Sequence, residues 1–457
     1  MKKNLVVTFS LLLAILNSLS AQTPVPFVKT INNPNKWVDS VFKKMSRNEK
    51  IAQLFMVRAH TDLGQKYADS VAQVIKKQQL GGVVFFQGGP GRQALLTNQY
   101  QALAKTPLMI AMDAEWGLGM RLDSTVSYPY QMTLGAIQNN RLIYQMGQEV
   151  AKDFKRLGMH INFAPVMDIN NNPRNPVINY RSFGDNKYNV AQKSIAYMKG
   201  MQESGIFTTA KHFPGHGDTD VDSHYDLPKL PFTAARLDSL EMYPFKQAFA
   251  ENLSGIMVAH MNIPNLDSTK NLPSTLSKPI VTNILKEKLG FKGLIFSDAM
   301  GMKGVVKYFP NGEADVRGII AGNDVLELSE NTERAIHLIR KSIRHHRLTW
   351  EDINQKVKKI LEAKYWMGLN NLEEVNTQNV VTDLNRPASY QLIQNLTDAA
   401  VTVVKNDNII PLRNDFIRKT AVLCIGQKQE SAFYKSINQA YPNTILFLIP
   451  KDLSDTE

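Results

Sequence analysis

Eight short apolar runs recur between residues 53 and 328, and stretches with helical periodicity separate most of them. The runs are Gln53–Val57, Gly82–Phe86, Leu108–Met112, Ile161–Val166, Phe207–Ala210, Gly255–Ala259, Leu294–Phe296 and Asp324–Leu328. Ala234–Glu251 and Pro279–Leu289 are examples of the helical stretches. Eight strand–helix repeats over about 320 residues predict an α/β fold of the (β/α)8 TIM-like barrel type, since an open doubly wound sheet usually has fewer strands. Polar residues fall just past the apolar runs: Arg58, Asp113, Asp168, Lys211, His212, His260 and Asp298. In a barrel the C-terminal ends of the strands share one face, and these residues would meet there.

The rest of the chain divides around that barrel. Residues 1–21 read as an export signal, with Lys2 and Lys3, an apolar run from Leu5 to Leu16, and a small-residue exit ending at Ala21. The run is too short for a spanning helix, which needs about 20 residues, and no later segment is apolar enough to cross a membrane. Residues 22–369 form the expected catalytic barrel domain, and the polar stretch 370–388 reads as a linker. Residues 389–457 read as the incomplete start of a second α/β domain, so the chain is expected to be a fragment cut within that domain. Cys424 is the sole cysteine, so no internal disulfide can form. Export without disulfides fits a bacterial periplasm or exterior. The formal charge is +12, but long Lys/Arg runs are absent, and no nucleic-acid partner is expected.

The chemistry is concentrated between Lys211 and Pro228. From His212 to Asp226 the chain holds three His (212, 216, 224) and four Asp (218, 220, 222, 226) in a loop containing Pro and Gly. His212 and His216 have the i, i+4 spacing of zinc-binding helices. Pro214 and Gly215 break a helix between them, however, and Phe213 stands where such motifs carry a glutamate. A metal-dependent hydrolase built on residues 212–226 is therefore the alternative, and no metal or other cofactor is the expectation. The favoured chemistry is proton transfer by a His224–Asp222 pair, whose one-residue spacing points both side chains the same way in an extended loop. Asp298, at the end of an apolar strand, is the candidate nucleophile; capping a following helix is its competing role. Asp113, in Ala111-Met-Asp-Ala-Glu-Trp-Gly117, and Arg181 offer an acceptor and a forked donor for a polar ligand.

Four stretches together resemble glycoside hydrolase family 3, in its β-N-acetylglucosaminidase (β-N-acetylhexosaminidase) branch. They are Asp113-Ala-Glu-Trp-Gly117, Phe163-Ala-Pro-Val-Met-Asp168, the loop Lys211–Pro228, and Phe291-Lys-Gly-Leu-Ile-Phe-Ser-Asp298. The resemblance implies that Asp298 is the nucleophile and that His224 with Asp222 is the acid/base. It also implies that Asp113, Arg181, Lys211, His212 and Asp168 hold a terminal N-acetylglucosamine. The implied activity is exo-acting, retaining hydrolysis of β-linked N-acetylglucosamine, from cell-wall muropeptides or related glycans. A histidine adds no negative charge where an anion would approach, so phosphorolysis is a variant of the same reading. Many members of the branch have Gln-Glu-Gly-Gly after the aspartate where this chain has Ala-Glu-Trp-Gly, which puts Trp116 at the sugar's outer contacts.

Overall fold

The computed structural model describes residues 23–223, 225–411 and 419–451. The expected export signal and His224 lie outside the described residues. The chain separates after Val401 into two compact units.

The first unit is a barrel of eight parallel strands. They are β1 Phe55–Ala59, β2 Gly82–Phe85, β3 Met109–Met112, β4 Ile161–Asn162, β5 Phe207–Phe213, β6 Gly255–Val258, β7 Leu294–Ser297 and β8 Leu326–Glu327. Each strand pairs with its sequence neighbour, and β1 pairs with β8. The ring closes between β7 and β8, where the Ser297 amide donates to the Val325 carbonyl at 3.0 Å and the Val325 amide to the Ile295 carbonyl at 3.1 Å. All eight runs picked out in the sequence carry a strand. The Ile161–Val166 run forms a regular strand over only two residues, and Val166 further along bridges Lys211 of β5. The stretch Ala234–Glu251 forms two helices rather than one, Ala234–Ser239 and Tyr243–Ala250.

Strands covered by helices on one face and by side chains on the other are buried on both, which explains their nearly unbroken apolar character. Inside the ring Phe163, Phe207 and Phe296 meet edge to face at 5.5 to 6.3 Å. At the N-terminal end of the strands, Phe27 closes the floor. It is fully buried, 5.3 Å from Phe207 and 6.4 Å from Trp366, whose indole Nε1 donates to the Val25 carbonyl at 2.7 Å.

The segment expected as a linker, 370–388, is folded onto the barrel. It contains the helix Val380–Leu384, and the next helix, Pro387–Ala400, belongs to the first unit rather than opening the second. Val380, Leu384, Leu392 and Leu396 are buried in the same apolar cluster as the barrel helix Asn140–Arg156. The polar residues that suggested a solvated linker are paired with that surface. Asn98 and Val375 exchange two hydrogen bonds, Arg156 binds Asp383 at 2.8 Å, and Arg386 binds Asp153 at 2.7 Å. The boundary accordingly falls at Val401 and not at residue 388.

The second unit holds β9 Ala421–Ile425, the helix Ala432–Ala440 and β10 Ile445–Ile449, the two strands running parallel. Among the described residues no helix is long and apolar enough to cross a membrane.

Candidate active site

A cavity of about 300 Å³ opens at the C-terminal ends of the barrel strands. Its wall carries Arg58 from β1, Asp113 and Glu115 after β3, Lys211 and His212 from β5, Asp298 after β7 and Glu327 ending β8. Arg181, from the short helical turn Asn179–Arg181, completes the charged wall. The barrel topology brings these residues together from positions more than 250 apart in sequence; Arg58, Asp113, Lys211, His212 and Asp298 are those the strand-end pattern predicts.

Five charged side chains form one network. The Lys211 ammonium lies 2.7 Å from an Asp113 oxygen and 2.8 Å from Glu115, and its side chain is only 3% exposed. Asp113 takes a second cation, Arg121, at 2.7 Å. Arg181 holds Glu115 in a two-pronged pair at 2.9 and 2.7 Å, the geometry a guanidinium matches best. Burial alone would raise these carboxyls. The Arg181 and Lys211 charges outweigh it and bring Glu115 to about 2, while Lys211 and Arg121 hold Asp113 well below the usual range. Both are therefore charged acceptors at neutral pH, fixed in place before any ligand arrives.

His212 lies on the cavity wall with its Nδ1 against Asp168 at 2.7 Å. Asp168 itself does not line the cavity. It is fully buried behind His212, accepts hydrogen bonds from the backbone amides of His212 and His216, and orients the ring rather than facing a ligand. His216 is buried between Thr219, at 2.7 Å, and Ser223, at 3.3 Å. Burial, and after it the neighbouring His212, lower His216 to about 4, so its ring is neutral at pH 7. The two rings lie 5.9 Å apart, and among the described residues no group of three His, Cys, Asp or Glu could hold a metal ion.

Asp298 follows β7, with its amide bonded to the Val258 carbonyl at 3.0 Å and one carboxylate oxygen accepting from the Ala299 amide at 2.7 Å. It does not cap a helix: the next helix begins at Lys303, after Met302. Asp222 lies in the long loop after β5, where its carbonyl accepts the amides of Tyr225 and Asp226. His224 lies outside the described residues. Asp226 is half-buried and pairs with Lys307 and Tyr308. His260 is fully buried, bonded to Thr275 and the Ala299 carbonyl, and is absent from the cavity wall.

Sequence reasoning missed two carboxyls of this wall. Glu115 stands inside the Asp113-Ala-Glu motif, and its signal was the company of a strand-end aspartate. Glu327 was hidden inside a run read as apolar, Asp324–Leu328, where one charged residue among Val, Leu and Leu was the available clue. At the mouth, Trp116, Tyr130 and Tyr180 form an aromatic group with ring centroids 4.7 to 6.3 Å apart, the two tyrosines each 46% exposed.

Comparison with known proteins fits this arrangement. Residues 46–363 match the model of the glycosyl hydrolase family 3 N-terminal domain. A β-hexosaminidase A of Pseudoalteromonas piscicida is 29% identical over 410 residues, covering 83% of this chain and 68% of that one. A β-hexosaminidase of Haemophilus influenzae is 30% identical over 285 residues, 60% of this chain and 80% of that one. Among solved structures, a family 3 β-N-acetylglucosaminidase from Paenibacillus sp. superposes with a TM-score of 0.77 at 27% identity, covering 90% of this chain and 81% of that one. Barrel, charged strand-end cavity and matched sequence agree: the chain is a glycoside hydrolase and belongs to glycosyl hydrolase family 3.

Proposed function

We propose that this chain removes terminal β-linked N-acetylglucosamine by a retaining double displacement. The observation that carries the reading is Asp298 at the end of β7, on the wall of a cavity that also holds the Asp113–Lys211–Glu115–Arg181 network. A closed network of charged donors and acceptors suits the hydroxyls and the acetamide of a sugar, and a carboxylate beside it suits attack on the anomeric carbon. The relatives named β-hexosaminidase and β-N-acetylglucosaminidase support the same sugar.

In this mechanism Asp298 attacks the anomeric carbon while His224, supported by Asp222, protonates the departing oxygen. The bond from carbon to the leaving oxygen breaks as the bond to Asp298 forms. His224 then takes a proton from water, which attacks the same carbon and frees Asp298. The aromatic group at the mouth suits the next residue of the glycan, and muropeptides or related cell-wall glycans are the substrates proposed. Residues 1–21 would direct the protein to the periplasm or exterior, which cell fractionation reads directly.

The test is stereochemical and chemical together. Hydrolysis of p-nitrophenyl N-acetyl-β-glucosaminide should exceed that of the corresponding β-glucoside, and the first-formed sugar should be the β-anomer by proton NMR. An α-anomer as first product rejects double displacement; preference for the glucoside rejects the sugar assignment.

A further inference from the structure

Besides Asp298, Glu327 is the carboxyl of the cavity wall that the network leaves out. Its backbone is fixed from both sides: the amide donates to the Ser297 hydroxyl at 3.0 Å, and the carbonyl accepts the Met300 amide at 2.8 Å. The residue is 4% exposed and lines the cavity beside Asp298, yet its Oε1 is buried with no hydrogen-bond partner in the protein. Asp113 has Arg121 and Lys211, and Glu115 has Arg181 and Lys211. Among the charged groups around Glu327, Asp113 and Asp298 oppose its ionisation and only Lys211 favours it. Burial, reinforced by those two carboxylates, raises it well above the usual carboxylate range and so favours the protonated carboxyl. A buried polar group without a partner costs stability, and a leucine here would match its chain neighbours Leu326 and Leu328.

We propose that Glu327 is a further substrate-contacting residue, whose side-chain oxygens hydrogen-bond a hydroxyl of the uncharged terminal sugar held against Asp298. The inference rests on the glycosidase reading above and adds to it a residue that selects the sugar. Its buried Oε1, without a protein partner, is open to a sugar hydroxyl, and a protonated carboxyl offers both a donor and an acceptor. Borne on a strand whose amide and carbonyl are both fixed, it is also held where a loop residue would wander. A sugar carrying a carboxylate at that position would meet the Asp113 and Asp298 carboxylates and be disfavoured.

The experiment compares wild type, Glu327→Leu and Glu327→Gln in the full chain, reading three quantities. These are the inhibition constant of free N-acetylglucosamine, kcat/KM on the p-nitrophenyl substrate, and the thermal midpoint. For Glu327→Leu, sugar affinity and kcat/KM should fall about tenfold or more while the midpoint holds or rises, because no protein partner is lost. Glu327→Gln, which keeps a donor and an acceptor, should lose only about three- to fivefold at an unchanged midpoint. Wild-type affinity in the Leu variant overturns the proposal, and so does a fall in midpoint that accompanies the activity loss in both variants. Should the Leu variant fail to fold, unchanged sugar affinity in the Gln variant overturns it and the graded loss supports it. The substrate reading fails separately: if wild type prefers the glucoside, that assignment falls, and Glu327 is judged on the substrate that turns over with glucose as the inhibitor.

Discussion

Glu115 shows what a buried ion pair does for a binding site. Its carboxylate is fully enclosed and touches both Arg181 and Lys211, so Arg181 and the strand-borne Lys211 share one acceptor. Glu115→Gln should leave two cations facing a neutral amide. That costs about 3–5 kcal/mol of stability and lowers kcat/KM about a hundredfold, because Arg181 loses the partner that aims it. The pH dependence has a definite sign. Glu115 is held near 2 when folded, against an ordinary 4.5, so its contribution of about 3 kcal/mol is complete above pH 4.5 and fades as pH falls towards 2. Thermal unfolding of wild type and variant at pH 7, 4 and 3 should therefore give a gap that narrows with acid. Trp116 belongs to a different part of the site. Trp116→Ala should raise KM for a disaccharide about five- to tenfold while affecting the p-nitrophenyl substrate less, if the rim holds the next sugar. At this scale Asp113, Lys211, His212, Arg181 and Asp298 could be read from strand ends and motif, since each stands where a barrel exposes it. Asp168 could not be separated from them, because a position just past a strand does not say whether a histidine will stand in front of it.

Among the elements, strands were easier to locate than the segment that follows the barrel. A strand buried on both faces writes itself as a dense apolar run, and helix or bridge geometry changes only its ends. The stretch after residue 370 has few apolar residues, but Val380, Leu384, Leu392 and Leu396 fall on the side that meets the barrel, and its polar groups bond to Asn98, Glu149, Asp153 and Arg156. Such pairing is invisible to composition, which counts polar residues without their partners. Leu396→Ala removes a fully buried side chain from this contact and should lower stability by about 2–4 kcal/mol in chemical denaturation. A segment behaving as a solvated linker would tolerate the same change with less than about 0.5 kcal/mol. The outcome separates the two descriptions of residues 370–400.

For the molecule as a whole, the barrel was legible because its repeat is simple: eight apolar runs, eight parallel strands, one face for chemistry. The floor was not. Phe27 lies in a short segment with Val25 and Val28, and nothing in its spacing says that it meets Phe207 and Trp366. Phe27→Ala should cost about 3–5 kcal/mol, read as a drop in denaturation midpoint, with little change in KM because the cavity lies at the opposite end of the strands. That contact also imposes an order in time. Phe27 and Trp366 are separated by nearly the whole first unit, so a chain emerging from its N-terminus shows Phe27 long before the helix Trp350–Trp366 exists to receive it. The earliest fully buried apolar residue of the described chain is thus among the last to gain all its partners. Until the final turn of that helix is synthesised, the barrel remains open at the end away from its chemistry, and Phe27 stays exposed to whatever else the nascent chain encounters.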